Sequence, residues 1–205
     1  MAISWMVILF SLISSAFFSG MEIAFLTSNK LRIELESKRG SITAKIFSYF
    51  IQNQSRYIGT MLVGNTIALV VLGIFMAETL DPYVRALTSN NIAVLLLETF
   101  LSTLLILVAA EFLPKSLFRI NPNRIIDVFA IPVFIVYWIL FPVVFITIGI
   151  AGFLLRNVFR VKFSEAEVTY GRVDLESLVK ESTSRISGKQ ELENEVRIFK
   201  RALDF

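Results

Sequence analysis

Residues 2–18 contain no Asp, Glu, Lys or Arg. An uncharged run of that length reaches most of the way across a hydrocarbon core about 30 Å thick. Inside such a core every backbone N–H and C=O must be bonded within the protein. Only helices and closed barrels meet that condition, and runs this long exceed barrel strands. The feature recurs. Apolar runs cover about 2–26, 57–77, 92–118 and 125–155, whereas residues 161–205 are polar and charged. The chain therefore reads as an all-α integral membrane protein with a membrane domain over 1–160 and a short helical tail over 161–205. Lys30 and Arg32 follow the first run and no basic residue precedes it, which argues for a retained helix over a cleaved leader.

Charge sets the expected topology. Lys30, Arg32, Lys38, Arg39, Lys45 and Arg56 lie between runs one and two; Lys115, Arg119 and Arg124 follow run three; Arg156, Arg160 and Lys162 follow run four. The connection between runs two and three has only Arg85, beside Glu78 and Asp81, and its Pro82 and Asn90 mark a loop. The positive-inside rule then puts the basic clusters in the cytoplasm and the N-terminus outside. Three spans satisfy this alternation and a fourth breaks it. Pro142 divides run four into two pieces too short to span, so the run is expected to form a Pro-bent juxtamembrane hairpin over 125–155. The competing reading is a fourth, kinked span with an external tail. Residues 29–55, rich in charge with scattered Leu and Ile, read as one or two amphipathic surface helices. In the tail, Leu175, Leu178 and Val179 belong to one helical stretch; Leu192, Val196, Phe199 and Leu203 repeat on one face of another.

There is no Cys and no His. Disulfides, thiolate metal sites and histidine acid–base chemistry are excluded from this chain, and any metal must be held by oxygen, which favours hard ions. Polar residues inside the apolar runs are therefore informative. Ser15 and Ser19 lie one turn apart on run one, Asn65 follows Gly64 on run two, and Glu111 follows Ala110 on run three. Measured from flanking basic residues at about 1.5 Å per residue, Ser19 lies about 16 Å in from Lys30, Asn65 about 13 Å from Arg56 and Glu111 about 12 Å from Arg119, or less where Lys115 marks the boundary. Pro114 cannot donate to the carbonyl of Ala110. Two hydroxyls, an amide oxygen, a freed carbonyl and a carboxylate thus share one depth. The plainer reading has each Ser bonded to its own i−4 carbonyl and Glu111 protonated and structural. Composition and spacing alone lead as far as an ion or solute pathway.

Three stretches resemble motifs of the CorC/CNNM magnesium transporter family: Ser15-Ala16-Phe17-Phe18-Ser19-Gly20-Met21-Glu22, Gly64-Asn65-Thr66, and Glu111-Phe112-Leu113-Pro114-Lys115-Ser116. They stand in the family's order and spacing. The resemblance implies a homodimer with three membrane helices per subunit and a cytoplasmic belt of juxtamembrane helices. It implies a dehydrated Mg2+ held by Ser15, Ser19, Asn65, Glu111 and the carbonyl of Ala110, exported by alternating access and coupled to Na+ entry. It also implies that ATP-binding CBS domains follow Phe205. Ala68, one turn after Asn65, is apolar where some relatives offer a further polar ligand. Two alternatives come from other classes: a magnesium sensor that regulates a different transporter, and an intramembrane hydrolase using a Ser with Lys115 or Glu111, which no nucleophile motif supports.

Overall fold

A computed structural model describes residues 2–157. Those residues fall into two compact units, 2–28 with 53–157, and 29–52. The described residues are helical apart from short connections and contain no strand. The expected tail helices lie outside them.

The larger unit begins with α1 (Ala2–Thr27), followed after the smaller unit by α4 (Gln54–Arg85), α5 (Asn91–Ile106), a wide π-helical turn at Leu107–Phe112, α6 (Leu113–Ile120) and α7 (Pro122–Asn157). The smaller unit holds α2 (Lys30–Lys38) and α3 (Ile42–Gln52). Among the described residues, four stretches are long and apolar enough to cross a membrane: α1, α4, the continuous α5–π–α6 stretch, and α7. The chain is a multi-pass membrane protein.

Three differences from the sequence expectation have physical causes. First, α4 does not end near 77 but runs to Arg85. Asp81 and Arg85 pair at 2.7 Å one turn apart, which supports helix where a loop was expected. The turn that follows ends at Asn90, whose side chain accepts from the Ile92 N–H at 3.0 Å and starts α5. Second, the hairpin over 125–155 does not form. Pro122–Asn157 is one helix with Pro132 and Pro142 inside it. Each proline removes one backbone bond, but a reversal in so apolar a run would strand several N–H and C=O groups, so continuing the helix is the smaller cost. Third, the wide turn interrupts the third run at the residues that carry Ala110 and Glu111.

α1 and α4 are antiparallel. Met21 meets Tyr57, Phe18 lies against Gly64, Ser15 bonds Asn65, and Ile8 packs with Leu72 and with Ala110 of the wide turn. α7 runs across this pair rather than along it. Phe129 meets Phe17 at 5.7 Å, while Val144 and Ile148 lie beside Gly59. In the α1–α4 register Gly59 stands near the level of Met21, so Phe17 and Gly59 differ by only about 6 Å along the bundle, while Phe129 and Val144 are about 22 Å apart along α7.

The smaller unit is a helical pair. Asn29 caps α2 by accepting from the Arg32 N–H at 2.9 Å. At the other end Gly40, at φ 95°, allows the Gly40 N–H to reach the Ser37 carbonyl and the Ser41 N–H to reach that of Glu36, a Schellman closure. Ser48 of α3 donates to the Glu34 carboxylate at 2.7 Å and fastens the two helices together.

Candidate ion site

The α1–α4 contact is apolar at both ends and polar in its middle. Near the C-terminal end of α1, Phe25 lies against Tyr57 with ring centroids 4.1 Å apart, the Tyr57 hydroxyl donates to the Met21 carbonyl at 3.1 Å, and all three residues are fully buried. Between that plug and the Ile8–Leu72–Ala110 cluster, the Ser15 hydroxyl donates to Asn65 Oδ1 at 2.7 Å. Both residues are buried. The donating hydroxyl keeps its lone pairs and the amide oxygen keeps a second one, so the pair can satisfy itself and still present oxygen to a cation.

Ser19 differs from most hydroxyls around it. Its residue is fully buried, and its Oγ has no hydrogen-bond partner. Ser14, Thr27, Thr60 and Thr66 each bond their own i−4 carbonyl, at 2.7–2.8 Å. The same outlet is open to Ser19, through the carbonyl of Ser15, and is not used. An unmet buried hydroxyl costs about 1–3 kcal/mol, so its retention calls for a ligand or a functional cause.

The wide turn supplies the third wall. Ala110 is fully buried within it and Pro114 is buried just beyond. The ladder slips there, with the Leu113 N–H reaching back five residues to Val108. Pro114 has no N–H to offer Ala110, its i−4 residue, or Ala109, its i−5 residue. Glu111 is half-buried and makes no hydrogen bond or ion pair among the described residues. From the Ala110–Ile8 and Phe118–Gly20 contacts, its level on α1 is near Ser11, about one turn from Ser15. The structure thus joins Ser15 to Asn65 directly, encloses Ser19 and Ala110 in the same helical interior, and leaves the Glu111 side chain outside that hydrogen-bonded pair.

Ser11, not singled out as a ligand from sequence, is also buried. Its signal was the i, i+4, i+8 spacing of Ser11, Ser15 and Ser19 on one face. It borders a groove of about 500 Å3 between α1 and α4, with Ser14, Phe18, Gly64 and Ala68. Among the described residues no group of three or more Asp and Glu is placed to hold a metal. The oxygen set is mostly neutral, and the carboxylates nearest it among the described residues are Glu111 and, one turn beyond Ser19 and close to Tyr57, Glu22. At the far end of α4, Glu98 of α5 lies beside Asp81 and Arg85.

The model of the Cyclin M transmembrane N-terminal domain matches residues 6–195. The chain belongs to this CNNM family. Its relatives include the UPF0053 inner membrane protein YfjD of Escherichia coli, 25% identical over 177 residues, which is 86% of this chain and 40% of that protein. The UPF0053 protein YrkA of Bacillus subtilis is 27% identical over 183 residues, 83% of this chain and 41% of that protein. The UPF0053 protein MG146 homolog of Mycoplasma pneumoniae is 30% identical over 111 residues, 54% of this chain and 25% of that protein. The CNNM-family chain thus spans less than half the length of these relatives.

Proposed function

We propose that this CNNM-family domain is the membrane part of a magnesium transporter, with Ser15, Ser19, Asn65, Glu111 and the Ala110 carbonyl as the oxygen set that takes a largely dehydrated Mg2+. The observation that carries the reading is the unpaired Ser19 hydroxyl one turn from the buried Ser15–Asn65 pair. Mg2+ sheds water reluctantly and favours oxygen in near-octahedral order. Neutral oxygens replace its water, and one carboxylate supplies attraction without holding the ion so firmly that it cannot leave. In the described conformation Glu111 stands apart from the pair. Loading would draw it in, and the wide turn beside Pro114 is where α5–α6 can yield.

Export by alternating access, with Na+ entry as the driving reaction, is the direction we assign. Support comes from family membership and from the weak, mostly neutral ligand set. Three spans (α1, α4 and α5–α6), the N-terminus outside and the basic clusters in the cytoplasm complete the proposal. α7 then lies across the cytoplasmic ends as a belt, which its packing against Phe17 and Gly59 supports. The resemblance to the family further leads us to propose a homodimer, with ATP binding confined to CBS domains beyond this chain. The direct test is Mg2+ flux in liposomes read by an entrapped dye. Glu111→Ala and Asn65→Ala lower flux at least tenfold, and wild-type rates from either variant sink the assignment. Binding without flux in the unmutated protein would make the chain a sensor.

A further inference from the structure

Resting on the ion-site reading, we infer that Phe118 of α6 and Phe129 of α7 form an aromatic gate that closes the site toward the Arg56 end, so that α7 sets access to the ion. Four rings make one continuous chain across three helices. Phe18 lies against Phe17 at 5.5 Å, Phe17 against Phe129 at 5.7 Å, and Phe129 against Phe118 at 5.9 Å. The chain is anchored at both ends on glycine. Phe18 covers Gly64, where a methyl group would overlap its ring, and Phe118 covers Gly20, where a methyl carbon would lie 2.6 Å from ring atoms. Those glycines adjoin Asn65 and Ser19, so the rings lie against backbone directly next to the proposed ligands.

The placement distinguishes a gate from core packing. An ion leaving Ser19 toward the Arg56 end has two routes. Between α1 and α4 it meets Met21, Phe25, Tyr57 and Met61, all without exposure and tied by the Tyr57–Met21 hydrogen bond. Between α1 and α6 it meets Phe118, which is only partly buried and is backed by Phe129, also partly buried. The second barrier has no polar tie and opens by a rotation of one ring. Edge-to-face and offset ring contacts each contribute about 0.5–1.5 kcal/mol, enough to hold the rings shut and little enough to be overcome by a shift of α7. Dry apolar constrictions of this kind stop ions by excluding their water.

The chain has no cysteine, so one introduced thiol reports access without background. Ser19→Cys is placed in membrane vesicles of either orientation and treated with a membrane-impermeant maleimide. With the gate shut, the thiol is protected from both faces. Adding Phe118→Ala or Phe129→Ala raises its labelling rate about tenfold or more from the Arg56 face alone. Unchanged protection in both double variants, or equal unmasking from both faces, overturns the gate. Ser15→Cys serves as a second reporter where Ser19→Cys does not fold, and Phe129→Leu replaces Phe129→Ala on the same ground. If unmasking occurs but the unmutated chain neither binds nor carries Mg2+, the gate stands and the transport reading falls. If flux is intact and no variant unmasks the thiol, the transport reading stands and the gate falls.

Discussion

At the scale of single residues, Ser15 and Ser19 separate two roles that a hydroxyl can have inside a membrane protein. Ser15 is satisfied by Asn65, and Ser19 is satisfied by nothing in the protein. Their alanine variants should therefore move stability in opposite directions. Ser15→Ala leaves the Asn65 amide short of a partner and lowers stability by about 1–2 kcal/mol. Ser19→Ala removes an unmet buried group and raises stability without magnesium by about 1 kcal/mol, while weakening the gain that magnesium gives. Thermal unfolding in detergent with and without Mg2+ reads both; a loss of ion-free stability in Ser19→Ala would return that residue to ordinary packing. Depth was legible in the sequence only to within a turn or two. Counting helix rise from Lys30 and Arg56 brings Ser19 and Asn65 to about one level, and the structure bonds Asn65 to Ser15, one turn further from Lys30; Glu111 lies near Ser11, about two turns from Ser19. Which oxygens pair was not legible, because the orientation of a hydroxyl depends on helix rotation, and the unused i−4 carbonyl of Ser19 leaves no trace in residue order.

Among the helices, prolines were the hardest residues to read, and they erred in both directions. Pro142 predicts a break in run four, yet α7 continues through it because apolar surroundings penalise a turn more than one missing bond. Pro114 predicts a freed Ala110 carbonyl and a local break in run three, and the structure places a full wide turn there, from Leu107 to Phe112. Restoring the N–H with Pro114→Ala should let the ladder close toward α-helical spacing, turn Glu111 away from α1, and lower Mg2+ flux at least fivefold at unchanged or higher stability. Flux combined with an unfolding scan separates this from simple misfolding. In the smaller unit the caps set the ends. Gly40→Ala forces a side chain into a left-handed backbone and costs about 1 kcal/mol there; hydrogen exchange along α2 and α3 would show the loss confined to that unit. α1, α4 and α5–α6 were plain from their uncharged runs, and the extension of α4 to Arg85 was hidden because Glu78, Asp81 and Pro82 carry turn-like composition while the Asp81–Arg85 pair favours helix.

For the molecule in its bilayer, the orientation of α7 decides the topology. Among the described residues four stretches are apolar enough to cross, and length does not distinguish a crossing helix from one lying across its neighbours. The contacts at Phe17 and Gly59 are what favour the belt we propose. Single cysteines at Arg124 and Asn157, near the two ends of α7, should react with an impermeant reagent from the same face. Reaction from opposite faces would establish a fourth span and put the tail outside.

The unpaired hydroxyl of Ser19 also has a consequence for the lifetime of the protein. A fold that carries an unmet group when empty and loses it when loaded has a survival time tied to its cargo. Each tenfold rise of the ion above its dissociation constant adds about 1.4 kcal/mol to the loaded state. In a cell whose proteases sample opened chains, scarcity would shorten the half-life of these molecules and abundance would lengthen it. On the proposed reading, the quantity of this protein would then follow the quantity of ion.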